Sequence, residues 1–473
     1  MSGAVTPAPS LLLTGAEVAS VRRDVRIADG LVAMIGDLAV LPGEQVIPMG
    51  GAALLPGLHD HHIHLLALAA ANRSIPLGPP DVRDAGKLAD ALRAALTALP
   101  PGQWLRGVGY HDSVAGPLDR WSLDALVGDR PARVQHRSGA LWILSSAAVR
   151  IAGLHSARVE GIERGADDEP TGRVWRLDEW LRERVPPEPL DLAAVGRALL
   201  QRGVTGVTDA TPVTGPEPLR FLAEAIRRGD LPQRVVVTGA AGLSPDAVPE
   251  LERGPVKVLL PDHEPPDLDA LLAAVRAART AGRAVAIHCV TAVAAALAVA
   301  AVEEVGPHPG DRIEHGAVLP IALATRLAEL GVTVVTNPGF VAERGDRYRL
   351  EVDGADVPDL WRCRSLLEAG VLVGAGTDAP FGKADPWAAI AAAIDRRTAD
   401  GHVLGPGERL DPQRALDLVL TPLEQPGGQP RAIEVGVPAD LCLLAVPLAE
   451  ALADPEGAEV VAGVVGGVLD RRA

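Results

Sequence analysis

The chain has 473 residues, of which 48% are hydrophobic and 22% are charged, so it can bury a large core. Its 45 basic and 61 acidic residues give a net charge of −16, which disfavours a nucleic-acid partner because such a surface repels phosphate. The three cysteines, Cys289, Cys363 and Cys442, are far apart and form no CxxC pair, which predicts a reducing, cytoplasmic environment.

Both ends of the chain show short β-type runs separated by turn residues. Near the N-terminus these runs are SLLLTG, DVRIAD, LVAMIG and EQVIPM, and near the C-terminus they are ADLCLLAV, AEVVAGVVGG and GVLDRR. Two similar β-rich ends around a different middle predict one small β-sandwich domain, formed jointly by residues 8–53 and 405–473.

Between these ends, apolar strand patterns alternate with helical patterns. The strand candidates are AALLPGLHDHH, GVTGVTDAT, RVVVTGA, PVKVLL, AVAIHCV, DRIEHGAVL, GVTVVTNP and GVLVGAGTD. Near-continuously apolar strands with helical crossovers predict an α/β fold, a (β/α)8 barrel of the TIM type over residues 54–404. Residues of about 66–195 break the alternation, so we predict an insertion subdomain after the first barrel strand.

The first barrel strand carries a histidine cluster. The stretch LLPGLHDHHIHL holds four of the chain's 12 histidines within six positions. Because side chains alternate along a strand, His62 and His64 share one face, while His59 and His61 share the other. This alternation leaves either pair as the candidate functional pair. His62 and His64 are weakly favoured because they lie nearer to the end of the strand.

Other chemically active residues lie where later strands end. In a barrel these ends meet at the carboxyl-terminal face, where active sites form. The candidates there are Lys257, His288, His315 and Asp378. Imidazole and carboxylate are common ligands of Zn²⁺, so the set predicts a metal site. The structural alternatives are a solvated His-rich turn, core histidines, a strand-end lysine in a salt bridge and a turn aspartate.

These motifs resemble a known family. PGLHDHHIHL is similar to the PG-x-x-D-x-H-x-H signature of the amidohydrolase superfamily, and aligning its Pro, Gly and Asp selects His62 and His64. The resemblance continues through VKVLL, IHCVT, RIEHG and GAGTDAPFGKADPW. In the insertion, GQWLRGVGYHD and SGALWILSSAAVRIAG resemble amidohydrolase family 3, which includes N-substituted formamide deformylase.

The resemblance implies a cofactor and a ligand set, with one or two divalent ions, Zn²⁺ by expectation. The implied ligands are, for one ion, His62, His64 and Asp378 and, for a second, His288 and His315. Lys257, carboxylated by CO₂, would bridge the two ions; an uncarboxylated Lys257 would leave a mononuclear site.

The resemblance also implies a reaction. A metal-activated hydroxide would cleave a non-peptide C–N bond in a small amide, an N-formyl or N-acyl compound or a cyclic amide, with Asp378 carrying the proton. Where deaminase relatives have a glutamate three residues after the fifth-strand histidine, this chain has Thr291, which disfavours deamination. A deaminase or other non-amide reaction on the same site, and a silent small-molecule binding protein, are the alternatives.

Substrate-binding residues are proposed more loosely. Tyr110, Asp112 and His136 lie in the insertion, and Asn337 and Phe340 follow the seventh barrel strand. The expected partner is a small-molecule substrate. No membrane partner is expected, since the sequence shows no basic, apolar leader and no uninterrupted apolar run of about 18 residues. A homodimer is one assembly that the sequence leaves open.

Overall fold

The computed structural model describes residues 10–79, 81–100, 102–186, 190–212, 215–243, 248–260 and 267–471. The chain divides into two compact units, one of residues 1–65 and 192–473 and the other of residues 66–191. Among the described residues, no helix is long and apolar enough to cross a membrane.

The N-terminal part of the larger unit begins with a four-stranded sheet. Its strands are β1 (Leu11–Val18), β2 (Val21–Ala28), β3 (Leu31–Gly36) and β4 (Gln45–Pro48). Their order in the sheet is β3-β2-β1-β4, with β1 antiparallel to β2 and parallel to β4. The short strand β5 (Leu54–Pro56) then leads directly into β6 (Leu58–Ile63), which carries the histidine cluster.

The segment after β6 forms the smaller unit. Its strands are β7 (Ile75–Pro76), β8 (Leu105–Tyr110), β9 (Ala132–His136), β10 (Leu141–Leu144), β11 (Ile162–Arg164) and β12 (Pro170–Trp175). Its helices are α1 (Leu65–Asn72), α2 (Ala85–Ala98), α3 (Asp112–Ala115), α4 (Arg120–Val127), α5 (Ser146–Ala152) and α6 (Asp178–Arg182). The strands make one sheet of order β11-β12-β10-β9-β8-β7, in which β7, β8 and β9 are parallel.

The chain then alternates between helices and parallel strands. The strands are β13 (Val204–Asp209), β14 (Arg234–Gly239), β15 (Glu252–Leu259), β16 (Val285–Cys289), β17 (Arg312–His315), β18 (Thr333–Thr336) and β19 (Val373–Ala375). The helices are α7 (Leu192–Leu200), α8 (Pro216–Arg227), α9 (Leu268–Thr280), α10 (Ala292–Val305), α11 (Ala324–Leu330), α12 (Gly339–Glu351), α13 (Arg364–Glu368), α14 (Pro386–Asp395) and α15 (Pro412–Leu420). Short 3₁₀ helices cover Ile321–Leu323, Val357–Asp359 and Pro406–Glu408.

The eight strands β6 and β13 to β19 form one parallel sheet in sequence order. Its two ends meet where Asp378 N donates to His62 O at 2.7 Å and His64 N donates to Ala379 O at 2.9 Å. Every residue of β6, β13, β17 and β18 is buried, as expected where helices cover the outer face and side chains fill the interior. The predicted α/β barrel is therefore confirmed.

The C-terminal part completes a second four-stranded sheet. Its strands are β20 (Leu441–Leu444), β21 (Val460–Val465) and β22 (Val468–Arg471), and helix α16 (Leu448–Ala453) lies between the first two. The order β22-β21-β20-β5 pairs the end of the chain with the strand that precedes β6. Leu13 and Val25 share one hydrophobic cluster with Leu441 and Val464, so the two ends of the chain bury a common core.

Candidate metal centre

Side-chain alternation on β6 separates the four clustered histidines. His59 Nδ1 lies 2.8 Å from Thr421 O, and His61 Nε2 lies 2.8 Å from Thr421 Oγ1. Thr421 directly follows α15, which packs on β6. His62 points the other way, with Nε2 at 3.5 Å from Asp378 Oδ1. His59 and His61 therefore attach a helix end to the barrel wall, and His62 faces the interior.

Three of the expected ligands come together at the carboxyl-terminal end of the barrel. His62, His64 and Asp378 each offer a ligand atom, and these atoms all lie within 4.8 Å of one another. His64 Nε2 is 3.1 Å from Asp378 Oδ1. His62 Nε2 is buried and has no hydrogen-bond partner among the described residues. A buried polar atom without a partner is costly, so a metal ion fits this arrangement of donors.

The protonation states of this group suit metal binding. Burial, together with the nearby charge of Lys257, lowers the pKa of His62 to about 4. Burial acts to raise the pKa of Asp378, but the hydrogen bond with His64 and the surrounding imidazoles hold it well below its usual value. At neutral pH these residues are a neutral imidazole and a carboxylate, the forms that coordinate Zn²⁺.

His288 and His315 extend the cluster from the next strands. The His315 ring centroid lies 4.5 Å from that of His288 and 4.6 Å from that of His62. His315 Nδ1 is 2.8 Å from Asn337 Oδ1, and Asn337 Nδ2 donates to Gly376 O at 2.8 Å. Since the Asn337 oxygen can only accept, His315 Nδ1 carries the proton and Nε2 presents a lone pair.

Two of the expected ligands have left-handed backbones. Cys289 and His315 are paired residues in the ladder between β16 and β17, so with an extended backbone their side chains would point to the same side of the sheet. That side is opposite to Glu314 and to the barrel interior. With a φ of 70°, His315 departs from the extended conformation, and its ring lies beside His62. Asp378 has a φ of 56°. Such strain in residues other than glycine is concentrated at functional sites, which agrees with the roles expected of both.

Lys257 lies inside the barrel on β15. Lys257 pairs with Ala286 on β16, and Leu259, two positions later on β15, pairs with His288. Lys257 and His288 therefore lie on the same face of the sheet. Its Nζ is buried and has no hydrogen-bond partner in the described part of the chain. Burial lowers the pKa of Lys257, although the nearby Glu314 acts to raise it. A lowered pKa favours the neutral amine, which is the form that reacts with CO₂.

Glu314 is a member of this site that the sequence analysis did not single out. It is fully buried on β17, its Oε2 forms a hydrogen bond with His62 Nδ1, and its Oε1 lies 2.5 Å from Arg312 Nε. Burial acts to raise the pKa of Glu314, but the charges of Arg312, His62 and Lys257 hold it well below its ordinary value. A carboxylate on Nδ1 directs Nε2 of the same ring toward a metal. Strand alternation places Glu314 on the face opposite the expected ligand His315, so the sequence carries no signal for this role.

Asp60 has a structural role in the same region. Its Oδ1 accepts from Thr377 N at 3.0 Å and from His62 N at 3.1 Å, and its Oδ2 accepts from Thr377 Oγ1 at 2.5 Å. Gly376 lies so close to β6 that a Cβ there would be 2.5 Å from His62 N. These contacts attach the segment bearing Asp378 to the strand bearing His62.

The structure places the insertion's expected substrate residues within their own unit. Tyr110, at the end of β8, is fully buried in a hydrophobic cluster and donates its hydroxyl proton to Gly116 O at 2.5 Å. Asp112 is exposed at the start of α3. His136 Nδ1 lies 2.9 Å from Ser138 Oγ. Tyr110 therefore packs in the core of this unit, and the substrate contacts expected of these three residues stay predictions.

The two expected substrate residues after β18 are also buried. Asn337 is 1% exposed and orients the His315 imidazole through its amide oxygen. Phe340 packs against Trp361 with ring centroids 5.2 Å apart, within a cluster of buried apolar side chains. The substrate contacts expected of Asn337 and Phe340 stay predictions.

The comparison with known families decides the classification. Residues 45–469 match the model of an amidohydrolase family, which is nearly the whole chain. The chain belongs to the amidohydrolase family. This assignment confirms the resemblance found in the motifs, and the protein is a hydrolase.

Relatives of this amidohydrolase agree with that assignment. The chain is 26% identical to N-substituted formamide deformylase of Arthrobacter pascens, over 89% of each chain. It is 25% identical to the putative amidohydrolase YtcJ of Bacillus subtilis (strain 168), over 79% of this chain and 80% of that protein. An uncharacterized metal-dependent hydrolase from Pyrococcus horikoshii OT3 shares the fold, with a TM-score of 0.72 at 20% identity, covering 92% of this chain and 97% of that one.

Proposed function

We propose that this amidohydrolase uses one or two divalent metal ions, with Zn²⁺ as the preferred ion, to hydrolyse a non-peptide C–N bond in a small amide, an N-formyl or N-acyl compound or a cyclic amide. The observation that carries the proposal is the convergence of His62, His64 and Asp378 within 4.8 Å at the end of the barrel. The formamide deformylase named among the relatives supports this class of substrate.

The residues that would hold the metal are those that the preceding subsection places inside the carboxyl-terminal end of the barrel. His62, His64 and Asp378 form one group of donors, and His288 and His315 form an adjoining group. Lys257, as a carbamate, would supply an oxygen to both groups and would replace a buried amine that has no hydrogen-bond partner among the described residues. When bound, the metal supplies Lewis acidity that polarises the substrate carbonyl and increases the acidity of water.

The protein's own contribution to the reaction centres on Asp378. Its carboxylate is ionised at neutral pH and lies beside His64, so it can accept the proton of the attacking water. The same carboxyl then delivers that proton to the leaving nitrogen. Glu314 and Asn337 hold the imidazoles of His62 and His315 in fixed tautomers.

The structure disfavours the deaminase alternative at one position. Thr291, where deaminase relatives have a glutamate, is the N-cap of α10, and its side chain accepts a hydrogen bond from Ala294 N. A hydroxyl used as a helix cap is not placed as a proton shuttle.

The test is a hydrolysis screen with metal removed and restored. The purified protein is treated with a chelator and assayed with N-formyl, N-acyl and cyclic amides, before and after Zn²⁺ is returned. We expect release of the amine or the ring-opened product only when metal is present. Cleavage that is unaffected by complete metal removal, or a library that is wholly uncleaved, would contradict the proposal.

A further inference from the structure

A turn formed by residues 209–211, at the end of barrel strand β13, bonds to the chain at the end of β6. Ala210 N donates to Ile63 O at 2.8 Å. The Asp209 side chain accepts from Leu65 N, with Oδ2 at 3.1 Å from that nitrogen. The main chain is therefore bonded to this turn both before and after the histidine that lies between the two bonded residues of β6 and α1.

Thr211 adds a contact to the side chain of that histidine, His64. Its Oγ1 lies 3.1 Å from His64 Nδ1. The other ring nitrogen, Nε2, lies 3.1 Å from Asp378 Oδ1, and the Phe381 ring packs edge-to-face with its centroid 5.5 Å from that of the imidazole. The imidazole is therefore contacted at both nitrogens and by an aromatic ring, in an orientation that directs Nε2 into the group of expected ligands.

The 209–211 turn is itself held by buried groups. Asp209 is buried, and its Oδ1 accepts from Thr211 N at 2.9 Å. Thr238, fully buried on β14, has its Oγ1 at 3.1 Å from Asp209 O and at 3.1 Å from Thr211 O. Because a side chain can fix its neighbour only if it is itself held in place, these bonds suit Thr211 to a positioning role.

The contact at Nδ1 decides which nitrogen of His64 can bind a metal ion. A neutral imidazole carries one proton, and the nitrogen without the proton presents the lone pair. A hydroxyl oxygen can accept a hydrogen bond, so Thr211 can hold the proton on Nδ1 and leave Nε2 as the metal-binding atom. The Glu314 carboxylate contacts His62 at the same ring nitrogen.

We propose that Thr211 is a positioning residue for the metal centre, which holds His64 with Nε2 toward the ion. The proposal rests on the metal-dependent function proposed above. Unlike Glu314, Thr211 carries no charge, so it contributes to the orientation and the tautomer of the ring and not to the attraction of a cation. Metal affinity should therefore depend on the presence of a hydroxyl at position 211.

Substitutions at position 211 separate the hydroxyl from the rest of the side chain. Thr211→Val keeps the shape and removes the hydrogen-bonding group, whereas Thr211→Ser keeps the hydroxyl and removes a methyl group. Thr280→Val is the matched control, because Thr280 is exposed on α9 and its hydroxyl donates to Arg276 O in the same helix. Zn²⁺ affinity is measured by competition with a chromophoric chelator, and circular dichroism checks that each variant is folded.

We expect Thr211→Val to bind Zn²⁺ about tenfold more weakly than the wild type, because the Nδ1 proton of His64 loses its acceptor. Thr211→Ser and Thr280→Val should bind like the wild type. Wild-type affinity in Thr211→Val would overturn the proposal. An equal loss in Thr211→Ser and Thr211→Val would also overturn it, because Thr211 would then act through packing alone.

A measurement on the wild type tests the same point without depending on how the variants fold. In Zn²⁺-loaded protein labelled with ¹⁵N-histidine, nuclear magnetic resonance should show the His64 proton on Nδ1 and the metal on Nε2. The His64 signals are identified by their absence from His64→Gln. A His64 ring that binds the metal through Nδ1 would overturn the proposal.

These measurements separate the positioning role from the proposed reaction. If Thr211→Val weakens Zn²⁺ binding as expected but no amide in the substrate library is cleaved, the role of Thr211 is supported and the proposed hydrolysis is not. Equal Zn²⁺ affinity of Thr211→Val and the wild type would overturn the role of Thr211, whatever the activity.

Discussion

At the scale of single residues, the site depends on which ring nitrogen each histidine presents. His62 bonds through Nδ1 to Glu314, and His315 bonds through Nδ1 to Asn337. His62 therefore presents Nε2 toward Asp378, and Nε2 is the nitrogen of His315 that carries the lone pair. The supporting residues, Glu314 and Asn337, are buried. We expect their replacement to weaken binding of the proposed metal more than it destabilises the fold.

Replacing Glu314 by glutamine tests this support. Glutamine lacks the negative charge that faces both His62 and Arg312, so we expect Zn²⁺ affinity to fall about 10–100-fold. Competition with a chromophoric chelator measures the affinity. Glu303→Gln, at an exposed residue paired with Arg326, is the matched control and should bind like the wild type. An unchanged affinity in Glu314→Gln would show that the carboxylate does not orient His62.

Replacing Asp378 by asparagine tests the proton carrier. We expect the fold to be retained and turnover to fall by about 10²–10⁴-fold, because an amide can neither take nor return the proton. Steady-state kinetics and circular dichroism measure the two quantities. Asp90→Asn, at an exposed position, serves as the control and should retain turnover. Near wild-type turnover in Asp378→Asn would remove this residue from the proposed role.

At the scale of elements, the site depends on the junction between β6 and the segment after β19. Asp60 bonds to Thr377, and the main chains of His62 and Asp378 are bonded directly. Gly376 allows this approach, since a Cβ there would lie 2.5 Å from His62 N and Cβ. The ligands on the two strands are therefore positioned by one closely packed backbone contact.

A single added methyl group tests this junction. Gly376→Ala must push the two strands apart, so we expect a loss of about 1–3 kcal/mol in the free energy of unfolding and weaker Zn²⁺ binding. Gly407→Ala is the matched control, because a Cβ there would meet nothing within 4 Å. Urea unfolding and metal titration measure both effects. Wild-type stability and affinity in Gly376→Ala would contradict the close approach.

The barrel strands could be predicted because a strand buried on both faces shows a continuous apolar run. The insertion was harder, since β7 has two residues and β11 has three, too few to show an alternating pattern. Glu314 and Arg312 were missed because a charge buried inside a barrel looks, in sequence, like a charge on its surface. The left-handed backbone of His315 has no signal in the sequence either.

At the scale of the whole molecule, both ends of the chain support the strand that carries the histidines. Strand β5 pairs with β20 and continues after one residue into β6. The hydrophobic cluster beneath it contains side chains from both ends, including Leu13 and Leu441. Loss of this cluster is expected to destabilise the larger unit.

Leu441→Ala tests this coupling. The side chain is 1% exposed, so its truncation should cost about 2–5 kcal/mol in the free energy of unfolding. Val435→Ala, at a residue that is 63% exposed, should change it by less than about 0.5 kcal/mol. Denaturant unfolding followed by circular dichroism gives both values. Equal stability of the two variants would show that the shared cluster contributes little.

The central claim is that the barrel interior holds catalytic metal. Its most direct test is the metal content per chain of protein purified with Zn²⁺ and bicarbonate, measured by inductively coupled plasma mass spectrometry. We predict about two ions in the wild type, with Lys257→Ala falling to one or none because the bridging carbamate is lost. One ion in both proteins would refute the dinuclear arrangement and leave the hydrolase class intact. A wild type that binds no metal under these conditions would contradict the account.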